Sequence, residues 1–141
     1  RQSNKGSDQF FKELRKSYGM GHIYRRDPIE KSYKVLNDNK FLILASDQDA
    51  KDRGVIVNFF GHKTSVPKGA AIFHIKKGAS LIFSVGTVAK DGEMTISFEE
   101  IILKEKPTIE SVTQAYTKML ETKIKEFPDH YFWFHRKWKS K

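Results

Sequence analysis

The 141-residue chain contains no cysteine. That excludes a disulfide scaffold, a cysteine nucleophile and a zinc ribbon, and it points to a reducing compartment. No apolar run approaches the roughly 18 residues needed to cross a bilayer. No secretory signal opens the sequence, and there is no internal repeat or low-complexity stretch. The G-x-x-x-x-G-K phosphate loop, the dinucleotide G-x-G-x-x-G and the hydrolase G-x-S-x-G are all missing, so mononucleotide, dinucleotide and serine-hydrolase readings have no support. Acid is scarce: 17 Asp+Glu stand against 26 Lys+Arg, a formal net charge of +9. Such a surface suits anionic partners, whether nucleic acid, acidic lipid, a phosphorylated ligand or an acidic carrier protein.

What is present is a globular composition, 38% hydrophobic and 30% charged with 11 Phe. The length gives one domain over residues 1–141. In SDQFFKELRKSYG, Phe10, Phe11, Leu14 and Tyr18 form one helical stripe, with Ser7 as N-cap and Gly19 as stop. MGHIY suggests a short strand. PIEKSYKVLNDN begins a helix at Pro28 and carries Ile29, Tyr33 and Leu36 at helical spacing. The continuous apolar run Phe41–Ala45 reads as a strand buried on both faces, hence of parallel-sheet type. GVIVNFFG is a second strand or extended segment, and PKGAAIFHIKKG a helix with Pro67 near its start and Gly78 after its end. Two β-rich runs around Asp91-Gly92 predict a hairpin. Thr108 caps the strongest helix pattern, which places Ile109, Val112, Tyr116 and Ile124 on one side and stops at Pro128. The expected fold class is α/β: a layered, mostly parallel sheet flanked by helices, ending in an antiparallel hairpin and a C-terminal helix.

Several stretches can carry chemistry. Asp47, Gln48 and Asp49 follow the Phe41–Ala45 run, where open α/β sheets place ligands; the alternative is an ordinary turn. Gly61 and Gly69 bracket a polar loop that leads into a helix start, a place where N–H groups receive an anion; the alternative is a loop capped by Thr64 or Ser65. His22 and Asp27 spell H-x4-D, the general-base signature of glycerolipid-type acyltransferases. The residues between them are bulky and cationic where that motif tends to carry small polar ones, so the pair is set aside. His74, on a predicted helix among Ile72, Phe73 and Ile75, reads as a structural or surface histidine, and His130 and His135 have no acidic partner at metal-ligand spacing, so no metal is expected. The last twelve residues hold five aromatics, two histidines, four Lys/Arg and no acid. That suits stacking on single-stranded bases, a bilayer interface, or a tail packed on the core with solvated charges.

Taken in order, these pieces resemble the late acyltransferases of lipid A biosynthesis, the lauroyl/myristoyl transferase family of Gram-negative bacteria. RQSNK is similar to the family's Tyr-Arg…Asn stretch at Arg1 and Asn4, and ELRKSYG to its Arg-x-x-x-Gly step at Arg15 and Gly19. The Asp-Gln…Gly…Phe-Phe-Gly…Thr/Ser…Gly block matches at Asp47, Gln48, Gly54, Phe59, Phe60, Gly61, Thr64 and Gly69. The closing motif matches at Pro128, Tyr131, Trp133, His135, Arg136 and Lys139, with Lys137 and Trp138 in place of the usual Arg and Phe. The resemblance implies an acyltransferase that moves a fatty acyl group from an acyl carrier protein or acyl-CoA thioester to a hydroxyl of a lipid A precursor. It places the enzyme on the cytoplasmic face of the bacterial inner membrane. Family members are about twice this length, and their membrane anchor and catalytic H-x4-E/D precede the Tyr-Arg stretch; both are expected to be absent from this chain, which on its own should be inactive.

The same resemblance implies supporting roles for Asp47 and Gln48 at the active cleft. It implies substrate contacts for Arg1, Asn4, Arg15, Phe59, Phe60, Gly61, Thr64, His135, Arg136 and Lys139. The expected partners are the thioester donor, the phosphorylated lipid A precursor and the inner-membrane surface, with no cofactor, no metal and no nucleic acid. The alternative is a basic, aromatic-tailed nucleic-acid-binding or membrane-peripheral module without catalysis.

Overall fold

The computed structural model describes residues 4–103 and 106–138. The chain divides into two compact units, residues 1–42 and 43–141. In the first unit, α1 (Lys5–Ser17) starts at Asn4, whose side chain accepts from the Ser7 N–H at 3.1 Å. Asn4, not Ser7, is therefore the N-cap. Gly19, at φ +72°, lets the chain leave the helix. Helix α2 (Ile29–Asn37) follows Pro28, which stands as its N-cap. Residues 20–24 form no strand.

In the second unit, β1 (Val55–Phe59) and β2 (His62–Val66) pair antiparallel, as do β3 (Ile82–Val88) and β4 (Met94–Glu100). Helices α3 (Gly69–Lys77) and α4 (Ile109–Glu126) complete the unit, with short 3-10 turns at Lys51–Arg53 and Pro128–His130. No helix among the described residues is long and apolar enough to cross a membrane.

The expected layered, mostly parallel sheet is not formed among the described residues: the strands make two separate two-stranded antiparallel sheets. A parallel pair needs a crossover of about a dozen residues, whereas only Phe60 and Gly61 separate β1 from β2. Both turn residues have positive φ, +51° and +79°, the pattern of a type I′ hairpin turn. The run Phe41–Ala45 forms no strand, and Phe41 and Ile43 are 87% and 81% exposed. An apolar run signals burial only where a partner strand exists to take its backbone bonds, and none pairs with it among the described residues.

The local signals elsewhere act as expected. Gly78 sits in the left-handed region at the end of α3, and Gly92 turns the β3–β4 hairpin at φ +87°. Thr108 and Ser111 form a reciprocal capping box at the start of α4. Val112, Tyr116 and Ile124 of α4 are buried; the first two join Val57, Val66 and Ala71 in the core. The open edge of β1 is satisfied by α4 side chains. Asn58 N–H donates to Gln114 Oε1 at 2.8 Å and Gln114 Nε2 donates back to the Asn58 carbonyl at 2.9 Å. At the turn, Phe60 N–H donates to Glu121 Oε1 at 2.8 Å. Burial opposes the Glu121 charge, but hydrogen bonds from Lys118 and from Phe60 N–H outweigh it and hold the carboxyl below its ordinary pKa. Phe60 is thereby fixed in a backbone conformation unfavourable for a bulky residue.

Candidate functional site

In the second unit the tail 127–138 meets two segments far before it in sequence, the loop 47–53 and the β1–β2 hairpin that directly follows that loop. The loop runs into β1, so Asp47 and Gln48 do not sit at the carboxyl edge of a parallel sheet as the sequence suggested. Instead the tail holds the loop backbone. Asp49 N–H donates to His135 Nε2 at 2.8 Å, and Lys137 Nζ donates to the Asp47 carbonyl. The Tyr131 hydroxyl stands 3.5 Å from that same carbonyl. From the hairpin, the buried Thr64 hydroxyl donates to the Lys137 carbonyl at 2.7 Å, and the Ser65 hydroxyl donates to the Lys51 carbonyl. Thr64 and Ser65 lie in β2 rather than at a helix start, and Lys68 precedes α3 with no side-chain cap.

Phe59 lies fully buried under this cage. Trp138 stacks on it with ring centroids 5.5 Å apart, and the Lys137 ammonium lies 5.6 Å from the ring centre. Burial lowers the Lys137 pKa to about 8, against the opposing pull of the Asp47 and Asp49 carboxylates. Burial, assisted by the Asp47 charge, raises the Tyr131 hydroxyl to about 12. Lys137 is 1% exposed, so it positions other groups instead of meeting a ligand. The side chains of Asp47 and Gln48, by contrast, stand at exposed positions on a backbone fixed from beneath. A carboxylate and an amide so placed can orient a base or receive hydrogen-bond donors of a bound substrate.

The tail and hairpin also border an open groove lined by Ile56, Phe60, His62, Lys63, Trp133 and Trp138. Phe60 thus lines a concave surface, while Gly61 supplies the turn that presents it. Arg136 is exposed beside this tail.

The remaining expected residues fall elsewhere. Arg1 and Lys139 lie outside the described residues. Asn4 is taken up in capping α1, and Arg15, in the last turn of α1, places its guanidinium 5.8 Å from the Phe11 ring centre. Asp27 accepts from Tyr24 N–H at 3.1 Å and pairs with Lys31 at 3.2 Å, while His22 packs edge-on against Tyr24. No hydrogen bond joins His22 to Asp27 among the described residues. His130 Nε2 is 3.9 Å from Asp129 Oδ2, too far for a hydrogen bond. Among the described residues no three His, Asp or Glu side chains group in a way that could hold a metal ion.

Sequence reasoning missed Lys137 as the residue that ties tail to loop, and Gln114 and Glu121 as the groups that secure the hairpin. A lysine enclosed by aromatics, as in FHRKW, was the available signal for the first. Gln114 and Glu121 carry no local signal, because their partners lie 56 and 61 residues away.

Comparison with known proteins adds two findings. A family model described as bacterial lipid A biosynthesis acyltransferase matches residues 1–140. The chain is also 27% identical over 132 residues to a phosphatidylinositol mannoside acyltransferase of Mycolicibacterium smegmatis. That match covers 91% of this chain and 43% of the relative, so the chain spans less than half the length of the curated relative it matches.

Proposed function

The chain belongs to the bacterial lipid A biosynthesis acyltransferase family, and on that premise we propose that it forms part of an enzyme acylating a hydroxyl of a phosphorylated glycolipid. The hydroxyl oxygen attacks the carbonyl of an acyl thioester carried by acyl carrier protein or coenzyme A. The C–S bond breaks, an ester C–O bond forms, and the proton passes through a general base to the departing thiol. We assign the base to a His–acid pair in the part of the family's length that this chain does not span. Asp47 and Gln48, on their braced loop, support the reacting groups.

The acceptor in this reading is a lipid A precursor. The mycobacterial relative is named for a different glycolipid, phosphatidylinositol mannoside. Both are anionic lipids with sugar hydroxyls, and a chain of net charge +9 suits either, as it suits an acidic carrier protein. The tail lies against the cytoplasmic leaflet of the inner membrane of a Gram-negative bacterium. Phe132 and Phe134 are exposed, the latter 90%, beside the exposed Arg136; aromatics at headgroup depth with cations on lipid phosphates are the usual interfacial arrangement.

The observation that carries the proposal is the family match over residues 1–140. The test is acyl transfer by the polypeptide expressed from the complete reading frame, offered acyl carrier protein and coenzyme A thioesters with a lipid A precursor or a phosphatidylinositol mannoside. The expected product is the acceptor plus one acyl group by mass spectrometry, with turnover lowered by Asp47→Asn. Absence of transfer with every donor and acceptor pair would overturn it.

A further inference from the structure

The tail pins Gln48 on both of its peptide planes. The Asp47 carbonyl belongs to the peptide unit that precedes Gln48, and it accepts from Lys137 Nζ. The Asp49 N–H belongs to the unit that follows Gln48, and it donates to His135 Nε2 at 2.8 Å. A residue has two soft backbone dihedrals, and each turns one of these planes. Fixing both planes fixes the direction in which the Gln48 side chain leaves the backbone. One residue further on, Ala50 N–H donates to the Ser65 carbonyl at 3.2 Å, which ties the rest of the loop to β2. The bond at Asp49 therefore governs Gln48 rather than the whole loop.

The imidazole is presented from a fixed backbone. His135 N–H donates to the Phe132 carbonyl at 3.2 Å, and the His135 carbonyl accepts from Lys137 N–H at 2.8 Å. Lys137 is in turn anchored by the Thr64 hydroxyl at 2.7 Å. An imidazole accepts a hydrogen bond only while neutral, because the imidazolium carries hydrogen on both nitrogens. The Asp49 bond thus requires the Nδ1–H tautomer and is lost on protonation, when two N–H groups would face each other. It also leaves Nε2 unavailable for the substrate contact that the resemblance implies. The charged and titratable groups of the two segments that meet here are Asp47, Asp49 and Lys51 of the loop and Tyr131, Arg136 and Lys137 of the tail, while the β2 residues bonded to them, Thr64 and Ser65, are uncharged. Lys137 is protonated below about pH 8 and Tyr131 titrates near 12, so neither changes charge in the acid range where histidine does.

We propose that His135 is a positioning residue: as a neutral imidazole it aims Gln48 at the reacting groups, and its protonation releases the Gln48–Asp49 peptide. This role rests on the reading that Asp47 and Gln48 support the reaction. It adds a named residue that sets their geometry and a protonation state in which that geometry is lost.

The experiment follows hydrogen exchange in the polypeptide expressed from the complete reading frame, at about pH 7 and 5.5, with the Asp49 amide resolved by fragmentation and corrected for intrinsic exchange. In the wild type, protection at Asp49 should fall about tenfold at the lower pH, the factor one lost hydrogen bond is worth, while α4 amides stay protected. His135→Gln, whose carbonyl oxygen accepts at either pH, should hold its protection. The effect on the reaction is read as the ratio of kcat in His135→Gln to kcat in the wild type, which should rise severalfold at the lower pH. A base elsewhere in the enzyme titrates alike in both and cancels from that ratio. An equal fall in Asp49 protection in the wild type and in His135→Gln would overturn the assignment, as would a loss that extends to α4. So would a flat kcat ratio where Asp49 responds. Should His135→Gln lose its fold by circular dichroism, the comparison of Asp49 with α4 in the wild type decides. Should no donor and acceptor pair give transfer, the acyl-transfer reading fails by itself, and exchange at Asp49 decides whether His135 holds the loop.

Discussion

The ammonium of Lys137 donates to the backbone carbonyl of Asp47, ninety residues earlier in the chain, while resting over the ring of Phe59. A buried cation is costly unless its donors are met. Here a carbonyl, an aromatic face and the nearby carboxylates of Asp47 and Asp49 offset that cost in part, which leaves the Lys137 pKa at about 8. The contact joins the last turn of the described tail to the loop that presents Asp47 and Gln48.

Stability should therefore rise with pH in a defined window. Below about pH 8, Lys137 is protonated in both folded and unfolded chains and the full burial penalty is present. Between about 8 and the ordinary 10.5 the unfolded chain keeps a proton that the folded chain has released, so folding becomes more favourable as pH increases. Tyr131 acts with the opposite sign: its hydroxyl is raised from 10.0 to about 12, so above pH 10 the unfolded chain loses a proton the folded chain keeps, and stability falls. Urea denaturation at about pH 7.5 and 9.5 should show a gain in the wild type that is absent in Lys137→Met, which keeps the stem and removes the charge. An equal gain in the variant would assign the effect to another group.

His135→Ala should loosen the loop without unfolding the unit. The Asp49 N–H would lose its acceptor, a cost of about 1–3 kcal/mol when the donor is left without water. The predicted signature is faster hydrogen exchange at Asp49, with α4 amides unchanged, and recovery in His135→Gln, whose carbonyl oxygen can accept the same bond. Unaltered exchange at Asp49 would show that Lys137 alone holds the loop.

These contacts mark the boundary of what the sequence discloses. Gly78, Asp91-Gly92 and the Thr108 cap act through neighbours a few residues away, so helix α3, the β3–β4 hairpin and helix α4 were legible. The Phe41–Ala45 run was misread because an apolar run states a preference for burial and says nothing of a partner. The β1–β2 pairing was missed because the turn is Phe60-Gly61 and not a familiar Asn-Gly. Resemblance to a family implies a supporting role for Asp47 and substrate contacts for Phe60 and His135, but the bond from Asp49 to His135 spans 86 residues, and no periodicity reaches that far.

Gly54 should tolerate no side chain, for a reason unrelated to backbone conformation. Its φ is an ordinary −86°. A Cβ there would lie 2.2 Å from Ser65 Oγ and 2.7 Å from both the Ala50 Cβ and the Val66 carbonyl oxygen. The carbonyl belongs to β2 and cannot swing aside. Gly54→Ala should cost about 1–3 kcal/mol through overpacking, a fall of roughly 3–10 °C in Tm for a chain of this size. A melting temperature within about 1 °C of wild type would mean that the loop and β2 can separate freely.

The β3–β4 hairpin carries the last prediction. Its register puts Ile82, Val88, Met94, Ile96 and Phe98 on a common face, and all five are exposed, Phe98 by 70%. The opposite face turns Phe83 toward the core. An apolar sheet face open to water drives association, and among the described residues no third strand covers either edge of the two-stranded sheet. The chain should therefore show concentration-dependent light scattering and bind a hydrophobic dye in its folded state. The double change Ile96→Thr and Phe98→Lys keeps a β-branched residue at one position and places a charge at the other. It should lower scattering and dye binding while leaving the melting temperature within about 2 °C, because neither side chain packs on the core. If scattering persists in the double variant, association runs through another surface, and the exposed stripe Phe10, Phe11 and Leu14 of α1 is the next to change.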